Sequence, residues 1–194
     1  MNTRFIKHFT FVAAVTVSAL LALAAASDTA AQIPASTLMK PAAPDKPPNT
    51  DGFIQRWLLL EPIAANGLTD SAVQAAVKKE YFPDQFTVIP HDGDKALVGG
   101  AELTWHAVDT LNYNVNLFHF ARAQGKKTSD VLFWAVTIIN CPREMRDVRL
   151  AIGSNAASVW WVNGKEVIGI YGDRQTVIKE ITASIGESRR APLH

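Results

Sequence analysis

Between Leu103 and Ile181 the chain breaks into short apolar stretches of period two, and one junction between them specifies a hairpin. The stretches are LTWHAV (103–108), VNLFHF (115–120), VLFWAVTII (131–139), DVRLAIG (147–153), SVWWV (158–162), KEVIGIY (165–171) and QTVIKEI (175–181). Turn residues separate them, and Asn163-Gly164 is the pair preferred by a two-residue type I′ turn, whose central residues both need positive φ. Short strands in quick succession, with little helical patterning between them, predict a mostly β fold. The expected form is an antiparallel β-sandwich or jelly roll.

The segment before this region adds one strand and one helix. FIQRWLLL (53–60) is a short apolar run closed by Glu61-Pro62 and reads as a strand. In SAVQAAVKKEYF (71–82) Val73, Ala76, Val77 and Tyr81 recur at helical spacing; Thr69 or Asp70 can cap the helix and Pro83 stops it. Few of its side chains are large and apolar, so it is expected as a short surface helix lying against a sheet.

The ends of the chain suggest an address. Arg4 and Lys7 precede an almost wholly apolar run from Phe9 to Ala26, and Thr29-Ala30-Ala31 offers the small residues a signal peptidase reads. Residues 1–31 are therefore expected to be an export signal cut after Ala31, and the protein to be secreted or periplasmic. The run could also just span a bilayer, but the small-residue exit and the absence of basic residues after it favour cleavage. Residues 32–50 hold five of the ten prolines and read as an extended linker. The β-sandwich domain is expected over 51–182, with 183–194 as a disordered or aberrant tail. Removing residues 1–31 takes away Arg4, Lys7 and Asp28, which leaves 17 basic and 17 acidic residues (19 − 2 and 18 − 1). A chain without basic excess has no electrostatic footprint for nucleic acid or an anionic membrane. Cys141 is the only cysteine, so no intrachain disulfide can form, and stability must come from a core.

Motifs that would carry chemistry are sparse. No Gly-x-Ser-x-Gly elbow is present, and Gly186-Glu187-Ser188, followed only by His194, has no preceding strand to shape a nucleophile turn. His106 and His119 could face each other on adjacent strands, but zinc needs more ligands at close spacing. Asp92 and Asp94 in HDGD are weak candidates for a calcium loop, which needs six to eight oxygens; a plain turn is the simpler reading. Gly99-Gly100 lacks the Lys-Ser/Thr and helix of a phosphate loop. No catalytic residue and no cofactor is therefore assigned. The aromatic residues offer a binding role instead. On a strand Trp160 and Trp161 must point to opposite faces. Val159 and Trp161 share one face and Trp160 and Val162 the other, so a strand buried on both sides is one reading. The other is a displayed ring that stacks on a sugar or docks a partner, with Trp160 the expected contact residue and Trp105 and Tyr171 further candidates.

The stretch DVLFWAVTIINCPREMRDVRLAIGSNAASVWWVNGKEV (130–167) resembles the galactose-binding-like jelly-roll modules of secreted bacterial proteins, which pass from a hydrophobic strand through a charged link to a "vwvNGk" hairpin. The resemblance covers residues 100–170, and 53–62 loosely. It implies a non-catalytic module that binds carbohydrate or docks partner domains. Some secreted proteins of this look are labelled acetylxylan esterases, so a carbohydrate-active hydrolase is the alternative implied. Such modules close with a further strand containing Gly-x-Asn, whereas this chain runs into ASIGESRRAPLH. Either the last strands are absent or the reading frame is lost near Lys179, the product then being a truncated or frameshifted relative without activity, or a short tail follows a complete smaller sandwich.

Overall fold

The computed structural model describes residues 5–15, 46–65, 67, 70–110, 114–141, 145–171 and 177–185. Among the described residues ten strands and two helices follow in the order β1 (Phe5–Val15), β2 (Arg56–Leu60), β3 (Ile63–Ala64), α1 (Asp70–Lys78), β4 (Lys95–Val98), β5 (Ala101–Asp109), α2 (Leu117–Ala123), β6 (Val131–Cys141), β7 (Met145–Ser154), β8 (Ala157–Val162), β9 (Lys165–Ile170) and β10 (Val177–Ile185). The fold is mostly β, as the alternating stretches predict. One eight-stranded sheet runs β4-β5-β2-β6-β1-β8-β9, with β3 also on β6, and β7 and β10 form a separate two-stranded ribbon. Every described pairing is antiparallel.

The sheet is covered on both sides, which explains why its middle strands read as continuous apolar runs rather than clean alternations. Residues 131–137 of β6 and 157–161 of β8 are all buried. Leu132, Trp134, Val136, Val159 and Trp161 face one core, together with Val73 and Val77 of α1 and with Phe82. Val131, Phe133, Ala135 and Trp160 face a second core, closed by Phe120 and Ala121 of α2 and Ile152 of β7. The first core is aromatic at its centre: Trp134 and Trp161 stack with ring centroids 5.4 Å apart. Phe82 and Phe86 meet Trp134 edge-on.

The hairpin signal is confirmed. Val162 pairs with Lys165 across a two-residue turn, and Asn163 and Gly164 have φ of 52° and 76°. One irregularity is a register shift between Trp160 and Trp161, which pair with Ile168 and Glu166 and leave Val167 as the extra residue on β9.

Three features differ from the sequence reading. First, residues 115–120 are not a strand: α2 spans Leu117–Ala123, capped by Asn116, whose side chain accepts the His119 N–H at 3.0 Å. Leu117, Phe120 and Ala121 satisfy the helical spacing i, i+3, i+4 as well as an imperfect alternation, and the Asn cap decides between them. Second, α1 stops at Lys78, short of Tyr81. The chain then turns around a fully buried Gln85, which accepts the Tyr81 N–H and donates to the Lys79 carbonyl, both at 2.8 Å. Third, Phe5–Val15, within the segment 1–31 expected to be an export signal, forms β1 in the middle of the sheet. β10 extends to Ile185, past residue 182, the expected end of the domain. The cleavage residues Thr29–Ala31, the linker before Lys46, the cap candidate Thr69 and the Gly186–His194 segment lie outside the described residues.

Candidate functional site

The residues singled out for binding are not brought together. Trp105 of β5 is 1% exposed and packs edge-on against Phe82 in the first core. Trp160 of β8 is 8% exposed, meets Trp57 edge-on at 6.2 Å in the second core, and donates its indole N–H to the Ser158 hydroxyl at 3.3 Å. The expectation that Trp160 is displayed is therefore corrected. With α2 and β7 covering that side of the sheet, neither it nor Trp161 presents a ring face to solvent. Val159 and Trp161 do share a face, as the strand period requires.

Tyr171 keeps partial exposure. It follows β9, packs on the rim of the first core and folds back over Gly169, where a Cβ would come within 2.6 Å of the Tyr171 hydroxyl. The absence of a side chain at 169 is what admits the ring. Around it, Lys78 of α1 donates to Glu166 Oε1 of β9 at 2.8 Å, the Tyr171 hydroxyl reaches the same oxygen at 3.4 Å, and the Lys78 ammonium lies 5.6 Å from the ring centre. The hydrogen bond to Glu166, then the one to Tyr171, raises the Lys78 pKa. This patch joins an aromatic face to a fixed cation and carboxylate, and it links the helix to the hairpin.

A second polar cluster escaped sequence reasoning. Glu61, just after β2, is buried and accepts the Thr104 N–H at 3.2 Å, with the Lys126 ammonium at 3.2 Å on the same oxygen. Burial pushes its carboxyl up, but the Thr104 N–H, Lys126 and the neighbouring His106 together outweigh it and hold the pKa below the ordinary value. His106 Nε2 lies 3.7 Å from Glu61 Oε1, too long for a hydrogen bond, and the His106 ring packs edge-on against Phe120 of α2. The cluster thereby ties the segment after α2 to β2 and β5. The signal for Glu61 was visible only as the residue closing a strand before a proline. Its partners lie 43 and 65 positions away, as 104 − 61 and 126 − 61, and no local pattern joins them.

The remaining candidates have structural partners. Asp92 accepts the Ala107 N–H at 2.8 Å, and Asp94 accepts the His91 N–H at 2.7 Å, so HDGD anchors the turn before β4 onto β5. Among the described residues no group of three or more His, Cys, Asp or Glu is placed to hold a metal ion. His106 and His119 do not lie on adjacent strands, because His119 is on α2. Gly99-Gly100 forms the turn between β4 and β5. Ser188 and His194 lie outside the described residues. No described helix is long and apolar enough to cross a membrane. No family model, curated protein or solved structure matches the chain.

Proposed function

We propose that the protein is an exported, non-catalytic β-module that docks another protein, its leader removed after Ala31. The observation that supports docking over sugar stacking is the use of the aromatic side chains. Trp57, Trp105, Trp134, Trp160 and Trp161, all five tryptophans of the chain, are buried in the two cores. What the sheet offers outward is a strand margin instead. At its β4 end Ala96 and Val98 point into the core, while Leu97 is 66% exposed. An apolar side chain on the terminal strand of a sheet suits contact with a partner chain.

The test is a photoreactive residue at position 97 in the protein expressed with its export machinery. A discrete heterologous adduct of one mass supports docking. No adduct, together with retention on immobilised polysaccharide, overturns it. A covalent serine-hydrolase probe separates this reading from an acetylxylan esterase or related hydrolase, which would label. N-terminal sequencing of the exported protein tests the leader: Gln32 is expected as the first residue, and an intact Met1 contradicts cleavage.

A sugar-binding role retains one specific support, the Tyr171–Glu166–Lys78 patch, where an aromatic ring and hydrogen-bonding charges adjoin. If that reading holds, Tyr171→Ala abolishes polysaccharide retention without lowering the melting temperature by more than a few degrees.

A further inference from the structure

The middle of the sheet holds a strand that the export reading removes. Phe5–Val15 pairs with all eleven residues of β6, from Phe5 opposite Cys141 to Val15 opposite Val131. On its other side Phe9–Ala14 pairs with β8, from Phe9 opposite Val162 to Ala14 opposite Ala157. β6 and β8 therefore run parallel to each other, one strand width to either side of β1. Without β1 they stand roughly 9–10 Å apart, twice the ordinary interstrand spacing. No backbone hydrogen bond spans that distance.

This gap differs from an ordinary sheet margin. Its walls are the buried stretches 131–137 and 157–161, and the two cores roof it on both faces. Backbone N–H and C=O groups lining it would be cut off from partners, and each one that water does not reach opposes folding. A lysine or a bulge can blunt the rim of a sheet, but not a gap in its middle. Only another extended backbone satisfies both walls together, and its side chains must be apolar on both faces. The doubly paired stretch Phe9–Ala14 reads FTFVAA, uncharged and apolar but for Thr10, while Lys7 and His8 fall where only β6 pairs.

We propose that the gap between β6 and β8 is an acceptor site for an extended apolar strand of six or more residues running antiparallel to both walls. Phe5–Val15 occupies it while the leader is attached. The site rests on the docking and leader-removal readings only for its use: a chain that loses residues 1–31 docks its partner by taking such a strand into the gap, the backbone ladders supplying affinity and the apolar faces selectivity. The acceptor property itself is a property of the uncut chain and is tested there.

The experiment uses the full chain, made without export, with a specific protease site inserted between Ser36 and Thr37 of the linker. The folded protein is cut and passed over a sizing column, and a fluorescent peptide of residues 5–15 is then titrated in. The cut N-terminal fragment is expected to co-elute with the body and to exchange with the labelled peptide. A peptide carrying Val12→Pro, which loses a ladder donor on the doubly paired stretch, should bind at least about tenfold more weakly. If the body precipitates after cutting, the parent peptide should keep it in solution and the proline peptide should not. The proposal is overturned if the fragment leaves and the body keeps its melting temperature, if both peptides bind alike, or if neither rescues a precipitating body. As an independent check, Val12→Pro in the uncut chain should lower the melting temperature; a melt equal to the parent's overturns the site. Failure of the position-97 adduct with success here would reject docking at the β4 margin alone.

Discussion

Replacing Gly164 with Val should destabilise the domain, for reasons that can be worked out atom by atom. Gly164 has φ of 76° in the turn between β8 and β9, a region that a β-branched residue occupies at a cost of about 1–3 kcal/mol. A Cβ there would also lie 3.2 Å from the Thr87 Cγ2 and 3.7 Å from the Phe86 carbonyl oxygen. The closer contact is to an exposed side chain that can shift, so it adds little. The expected total is about 2–3 kcal/mol, or a fall of roughly 6–12 °C in melting midpoint for a domain of this size. Gly164→Asn is the control, since Asn tolerates positive φ and should lose much less. Differential scanning calorimetry on the three proteins decides the matter. An unchanged midpoint for Val, or equal losses for Val and Asn, would show that backbone conformation does not govern this turn.

Other perturbations follow from the same packing. Gln85→Ala should cost about 1–3 kcal/mol in denaturant titrations, because it strips partners from the part-buried Tyr81 N–H and Lys79 carbonyl while leaving α1 in place. Glu61 and Asp109 both have folded-state pKa values below their ordinary ones: for Glu61 burial is outweighed by the Thr104 N–H, Lys126 and His106, and for Asp109 the Arg56 hydrogen bonds lead. A depressed carboxyl contributes stability that is present above its unfolded pKa and drains away as pH falls through the folded value. Stability should thus be level above about pH 4.5 for these two groups and decline below it. Glu61→Gln should lower stability at neutral pH, and its deficit should narrow as the pH drops below 4.5, the ordinary glutamate value. A deficit that stays constant with pH would contradict the charge-based account.

The parts of the fold legible in the sequence are those in which one local physical rule decides. Asn163-Gly164 gave the hairpin because positive φ at two successive residues leaves few residue types. β5 through β9 were legible apart from α2, because β-branched and aromatic runs between turn residues have few alternatives. α2 was missed because Leu117–Phe120 fits two periods and only the Asn116 cap separates them. β4 was missed because KALV alternates over too few residues to register. The orientation of Trp160 could not be read locally, since Trp160 and Val162 make its face as apolar as the opposite one. Its burial depends on Trp57, Ile152 and Ile168, contributed by three other strands. The Glu61 cluster was invisible for the same reason, and the place of Phe5–Val15 in the sheet could not be separated from the pattern of an export leader.

The most direct test of the central claim, that the tryptophans build the cores rather than a ligand platform, is a pair of thermal melts on Trp160→Ala and Trp161→Ala beside the parent, with polysaccharide retention measured on all three. Both substitutions should cost about 3–5 kcal/mol, most of the stability of a marginal domain, and the parent should not be retained. A Trp160→Ala protein that melts with the parent yet loses a retention the parent shows would contradict the account.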